Sequence, residues 1–250
     1  MATVLVTGGT GVLGSYLVPR LEARGHEVRA LSRHPKGANA VRGDVRTGEG
    51  IEEAVAGCDV VVHAATNPFR PRSTEVLGAD HVSESARMAG AHLIYMSIVG
   101  VDRHRLPYYK AKWEAEQVVE SSGVRWTILR ATQFHDLLDQ ILGYRVVPLQ
   151  RRTPFQPVDG GEVADVLADL VDAGPSGRAP DVGGPQVQTI DELSRARKRI
   201  TGNGAVLVPT PPVWFIADFV DGRHLASDGI HGRITWEDWL SRRRPAPAGG

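Results

Sequence analysis

The chain has 250 residues, enough for one α/β domain or for a nucleotide-binding core with a small lobe. Its 29 Lys and Arg balance 29 Asp and Glu, so no net field draws in nucleic acid, anionic lipid or a polyanionic substrate. Hydrophobic residues at 42% and charged residues at 23% exclude a disordered or fibrous chain, and the single Cys58 excludes an intrachain disulfide and a cysteine-based metal cluster.

The first strand is expected over Thr3 to Thr7, with no basic leader or signal-length apolar run before it. Helical patterns at 12–24, 51–56, 73–89 and 108–122 then alternate with strands at 27–32, 59–63, 92–97 and 126–130, and with a short strand at 40–42. Such alternation builds parallel βαβ units, and the unbroken run Val60, Val61, Val62 suits a strand covered on both faces. The expected fold class is α/β, a Rossmann-like doubly wound parallel sheet with a small C-terminal substrate lobe. After about residue 140, Pro148, Pro154, Pro157, Gly160, Gly161, Gly174 and Pro175 break the rhythm, although helices are still expected at 163–172 and 189–200. The chain therefore reads as an NAD(P)-binding core over 1–140, a substrate-binding lobe over 141–240 interleaved with it, and a disordered tail over 241–250. Trp214, Phe215, Phe219, Trp236 and Trp239 offer the lobe either an apolar wall or core packing. No segment reaches the roughly 18 uninterrupted apolar residues that cross a bilayer. A cytoplasmic location is expected.

The most informative segment is Thr7-Gly8-Gly9-Thr10-Gly11-Val12-Leu13-Gly14, a G-x-x-G-x-x-G turn between a strand and a helix. Gly8 and Gly11 allow a sharp turn close to a pyrophosphate, Gly14 allows close helix packing, and Thr10, Val12 and Leu13 complete a dinucleotide-binding loop at a helix N-terminus. The second strand ends in Ser32-Arg33-His34 with no carboxylate, so Arg33 and Ser32 are expected at a ribose 2′-phosphate and NADP(H) is the expected cofactor. Asp44 could meet the adenine amino group or cap its own loop. At the end of the fourth strand, Ala64, Ala65 and Thr66 supply small side chains where the backbone must pass close to the cofactor, while His63 reads as a packed strand-end residue.

The fifth strand ends at Ser97, and the next helix carries Tyr108 and Lys112, four apart on one face. That face also holds Ala111, Ala115, Val118 and Val119, with Glu114, Glu116, Gln117 and Glu120 on the remainder. A lysine within an apolar stripe breaks the amphipathic pattern and points to an internal role. The histidines show no metal-ligating spacing, and no metal is expected.

The turn at 7–14, Ser97 and Tyr108-x-x-x-Lys112 resemble the short-chain dehydrogenase/reductase superfamily. Thr7 to Gly11, Tyr95 to Gly100 and Leu129 to Phe134 are similar to its atypical, NmrA-like NAD(P)H-binding branch. The resemblance implies that Tyr108 is an acid/base, that Lys112 holds the nicotinamide ribose and lowers the Tyr108 pKa, and that Ser97 polarises the substrate oxygen. It also implies that Ala131, Gln133 and Phe134 border the nicotinamide. Tyr109 follows Tyr108 at once, leaving two registers for the acid. The expected function is an NADPH-dependent oxidoreductase that reduces a carbonyl, imine or conjugated double bond of a small molecule. The alternatives are an epimerase or isomerase with tightly bound cofactor and a non-catalytic NADP-sensing regulator. The expected partner is a small-molecule substrate, with neither nucleic acid nor membrane; a homodimer is left open.

Overall fold

A computed structural model describes residues 1–35, 37–209 and 214–243, with the backbone alone at Trp214 and Phe215. The apolar run β1 (Thr3–Thr7) enters the glycine turn and continues as α1 (Val12–Ala23), whose Leu13, Leu17 and Leu21 stripe is buried. There follow β2 (Glu27–Ser32), β3 (Ala40–Arg42), α2 (Ile51–Val55) and β4 (Val60–His63). A π-helical turn, Arg72–Val76, leads into α3 (Leu77–Met88), and then come β5 (His92–Ile98), α4 (Pro107–Ser121) and β6 (Arg125–Ala131). The expected elements are present to within a residue or two, apart from the π winding that starts the third long helix.

Beyond β6 lie α5 (His135–Gly143), β7 (Val146–Val147), β8 (Pro154–Phe155), α6 (Gly160–Ala173), β9 (Gly177–Arg178) and β10 (Val182–Gly183). The last group is β11 (Gln188–Thr189), α7 (Ile190–Thr201), β12 (Val206–Leu207), α8 (Trp214–Val220), β13 (Ile230–His231) and α9 (Trp236–Arg243). Two of these starts are written into local chemistry. Asp159 caps α6 by accepting from the Glu162 N–H, and Thr189 with Glu192 forms a capping box on α7.

Among the described residues, nine parallel strands form the main sheet in the order β13-β10-β6-β5-β4-β1-β2-β3, with β9 also on β6. The order reverses about β1, which lies between β2 and β4, and Thr7 pairs with both Leu31 and His63. This opens a crevice at the carboxyl ends of these strands, the ligand position of open α/β sheets.

One face of the sheet buries Val4, Val6, Leu17 and Leu21 with Val163, Leu167 and Val171 of α6. The other buries Leu5, Val61 and Leu93 with Val82 of α3 and Ala115 and Val119 of α4. Each such fully buried Leu or Val contributes ~1.5–3 kcal/mol relative to exposure. Helix α6 therefore belongs to the core although it follows residue 140, and the ion pairs Arg20–Asp165 at 2.6 Å and Arg24–Asp169 at 2.8 Å tie it to α1.

A third cluster forms the lobe, with Leu138 and Leu142 of α5, Ile190 and Leu193 of α7, and Trp236, Trp239 and Leu240 of α9. The two tryptophans are thus core packing, stacked with ring centroids 5.5 Å apart, and Phe219 packs among His104, Tyr109, Phe155 and His224. The side chains of Trp214 and Phe215 lie outside the described residues. Helix α9 continues to Arg243, so 241–243 are helical where a disordered tail was expected, and 244–250 lie outside the described residues. The Trp236 and Trp239 anchors hold this end down. Among the described residues no helix is long and apolar enough to cross a membrane.

Candidate functional site

The glycine turn is built for close approach. Gly8 has φ 69°, and the Gly11 N–H donates to Gly8 O at 2.9 Å. A Cβ on Gly8 would stand 2.9 Å from Ala65 N and Cα, and one on Gly14 would collide with Gly8 O and Gly9. Ala64 and Ala65 are drawn against the turn by Thr7, whose Oγ1 accepts both of their N–H groups at 3.2 Å. The Thr7 hydroxyl in turn lies 2.6 Å from His63 Nδ1. Burial, and secondarily the Lys112 charge, push His63 down to about 3, so it is a neutral packed residue as expected. Gly11 caps α1 without any side-chain hydrogen bond, and Thr10, Gly11 and Val12 are exposed. The first-turn N–H groups and the positive end of the helix dipole thus face the crevice. A bare helix start over a cradle that a single Cβ would fill fits the pyrophosphate of a dinucleotide.

At the end of β2, Arg33 is exposed and the Ser32 hydroxyl accepts the His34 N–H at 3.2 Å. Asp44 is engaged by Arg46, at 2.6 Å to the guanidinium and 3.0 Å to the backbone N–H. The hydrogen bonds from Arg46 outweigh partial burial and hold the Asp44 carboxyl below its ordinary range, with Arg33 adding to the effect. Asp44 O also accepts the Gly48 N–H at 3.0 Å, which makes this residue a loop cap.

The next cluster lies between α4 and the end of β4. Lys112 is 3% exposed; its Nζ donates to Met96 O at 2.8 Å, lies 3.0 Å from Glu75 Oε2 and sits 4.7 Å from the Tyr95 ring centroid. Burial alone would depress this amine, but Glu75 and Tyr95 reverse the effect and hold it charged. Glu75 Oε1 accepts from Thr66 Oγ1 and from the Asn67 N–H, each at 2.9 Å. Thr66 Oγ1 lies 2.6 Å from Tyr108 Oη. Tyr108 is half-buried and its phenol is pushed above its ordinary value, by burial first and then by Glu75. The resemblance implied that Lys112 lowers the Tyr108 pKa; burial and Glu75 act in the other direction, and Glu75, a carboxylate that the sequence reading did not assign, pairs with the ammonium. Tyr109 is 4% exposed and accepts from Gln133 Nε2 at 3.1 Å, so it is a packed residue and Tyr108 is the tyrosine that faces the crevice.

Ser97 does not join this group. It is 1% exposed and donates to Glu116 Oε1, and Glu116 also receives Arg130 at 2.6 Å and Arg178 at 2.8 Å. Three partners offset the desolvation of Glu116, which is fully buried although its position reads as part of the wet face of α4. Ala131 is buried at the end of β6, and Gln133 Oε1 is a buried acceptor with no partner among the described residues, beside half-buried Phe134. An orphaned acceptor at this depth fits an amide N–H of a ligand such as a carboxamide.

Glu75 and Glu116 were both findable. Glu75 shares a stripe with Ala79, Val82 and Ala86, and Glu116 with Lys112, Ala115 and Val119, so the rule that singled out Lys112 applies to each of them.

A family described as NAD(P)H-binding matches residues 8–173. The chain is 31% identical over 215 residues to a (4-alkanoyl-5-oxo-2,5-dihydrofuran-3-yl)methyl phosphate reductase of Streptomyces griseus subsp. griseus, covering 80% of this chain and 74% of the relative. It is also 31% identical over 191 residues to a 4-hydroxy-2-methyl-3-oxo-4-farnesyl-3,4-dihydroquinoline-1-oxide ketoreductase of Stigmatella aurantiaca, covering 62% of this chain and 57% of that one. Among solved structures, the UDP-glucose 4-epimerase of Thermotoga maritima superposes with a TM-score of 0.75 at 19% identity, over 96% of each chain, a likeness of fold. The glycine cradle, the bare start of α1 and the parallel sheet reversing at β1 agree with these matches: the chain belongs to the NAD(P)H-binding family.

Proposed function

We propose that this chain is an NADPH-dependent reductase of a carbonyl, imine or conjugated double bond in a small molecule. One observation carries the reading: Tyr108, a phenol facing the crevice, is hydrogen-bonded through Thr66 to the end of β4, alongside the bare helix start over the glycine cradle. Gly8, Thr10, Gly11, Val12 and Leu13 would hold the diphosphate, and Ala64, Ala65 and Thr66 would pass along the cofactor's ribose and phosphates. Arg33, with Ser32 beside it, would take the 2′-phosphate; a guanidinium and no carboxylate at this position supports NADP(H) over NAD(H). Gln133 Oε1 would accept from the carboxamide between Ala131 and Phe134, in keeping with its unused lone pairs.

When bound, the reduced nicotinamide supplies a hydride. The chain's own part is a proton, delivered from Tyr108 Oη to the substrate atom that gains negative charge. Lys112 acts on this site through Glu75, and Ser97 has a structural role. The reductase and ketoreductase names of the two relatives support the reaction class. The test is NADPH absorbance in the presence of a panel of aldehydes, ketones, imines and enones. Oxidation matched one-to-one by reduced product is expected, and tight NADPH binding without turnover on any class contradicts the proposal.

A further inference from the structure

The π-helical turn Arg72–Val76 carries a carboxylate into the site. Wider winding of this kind is frequent at functional positions, and here it brings Glu75, fully buried, against Lys112. Thr66 has one hydroxyl proton and the Glu75 carboxylate accepts it, so the 2.6 Å bond between Thr66 and Tyr108 is donated by the tyrosine. The direction of the hydrogen-bonded chain is thereby fixed: Tyr108 to Thr66 to Glu75, with Lys112 closing the far side.

We propose that Glu75 is a positioning residue that keeps Tyr108 protonated, by cancelling the Lys112 charge and anchoring the acceptor of the phenol proton, and so biases the site toward reduction. The inference rests on the reading of Tyr108 as the proton donor. In reduction of a ketone, the carbonyl carbon gains the hydride of NADPH, the oxygen takes the Tyr108 proton, and the half-exposed phenolate is reprotonated by water. Alcohol oxidation instead needs Tyr108 to begin as phenolate, the form that a bare Lys112 would favour and that Glu75 disfavours. The other titratable groups turned toward the cluster leave this balance to Glu75 and Lys112. His63 on β4 is neutral, and Tyr95 on β5 and Tyr109 on α4 are phenols raised by burial.

The experiment is a titration of the tyrosine ring carbons, by NMR of protein labelled at Cζ, with Tyr108 assigned by its loss in Tyr108→Phe. Wild-type Tyr108 is expected to ionise above the ordinary value of 10.0. Glu75→Gln keeps the size of the side chain and removes its charge, and the Tyr108 midpoint is expected to fall by about one pH unit or more, tenfold in the acid constant. An unchanged or raised midpoint overturns the proposal. If Glu75→Gln does not fold, Lys112→Met must move the midpoint upward, and if neither folds, a wild-type midpoint at or below 10.0 overturns it. Wild-type-like turnover in Tyr108→Phe would instead remove the proton-donor reading while leaving the titration result standing, so the two failures are distinct.

Discussion

The Ser97 hydroxyl donates to Glu116, on the flank of α4 that meets β6, and not toward Tyr108. Its place at the end of β5 is the one expected of a group that polarises substrate, but its lone proton is committed to a carboxylate shared by Arg130 and Arg178. Ser97→Ala should therefore leave turnover within about twofold while costing ~1–3 kcal/mol in urea unfolding, the worth of a hydrogen bond to a buried charged group. A loss of turnover beyond tenfold with unchanged stability would return Ser97 to the substrate.

The Lys112–Glu75 pair makes a second, thermodynamic prediction. Lys112→Met strands a fully buried carboxylate, and breaking such a pair costs ~3–5 kcal/mol. The double variant Lys112→Met with Glu75→Leu leaves no stranded charge and should recover most of that loss in urea unfolding, although turnover stays low. Additive destabilisation would show that the two side chains do not depend on one another.

Much of this protein was legible in its sequence because its signals are local. The glycine spacing at 8–14, the Val60–Val62 run and the Leu13, Leu17, Leu21 stripe each specify an element by short-range sterics or periodicity, and all three are where expected. Lys112 was visible as a charge in an apolar stripe. Its partner Glu75 carries the same signal, on a stripe with Ala79, Val82 and Ala86, but the pairing was not legible, because Glu75 lies 37 residues earlier and reaches Lys112 from a π-helical turn that helical periodicity does not encode. The fate of the Ser97 hydroxyl was hidden for the same kind of reason: it depends on Glu116, 19 residues away, whose burial is compensated only once Arg130 and Arg178 are in place. In the lobe, α5 and α9 are held by Leu138, Trp236 and Trp239 packing on α7, contacts between distant segments such as Trp236 and Leu193, 43 residues apart.

Arg33 makes the cofactor preference measurable. Arg33→Asp should weaken NADPH binding by about tenfold to a hundredfold, as expected for loss of one or two charge-assisted contacts, and should leave NADH affinity within about threefold. Titration of nicotinamide fluorescence with each cofactor gives both numbers. Equal losses for the two would show that Arg33 acts on the loop and not on the 2′-phosphate.

Acid should loosen the lobe. His135, fully buried between Trp236 and Trp239, is pushed by burial from 6.5 down to about 4, and His224 is lowered to about 4 in the same way. These folded values lie below the unfolded one, so the unfolded chain binds more protons between them. Their contribution is present above pH 6.5 and is lost as the pH falls toward 4, by up to ~2 kcal/mol each at pH 5. Urea midpoints should fall between pH 7 and pH 5, and His135→Phe should flatten that slope. A wild-type midpoint independent of pH in this range would contradict the assignment.

The proton-donor role of Tyr108 is tested most directly by steady-state NADPH oxidation in wild type and Tyr108→Phe, with a reducible carbonyl from the panel and with NADPH affinity measured in parallel. The account predicts that kcat falls by about a hundredfold or more while NADPH affinity is unchanged, the size of effect expected when a general acid is removed. Turnover in Tyr108→Phe within about threefold of wild type, with NADPH bound equally well, would contradict it.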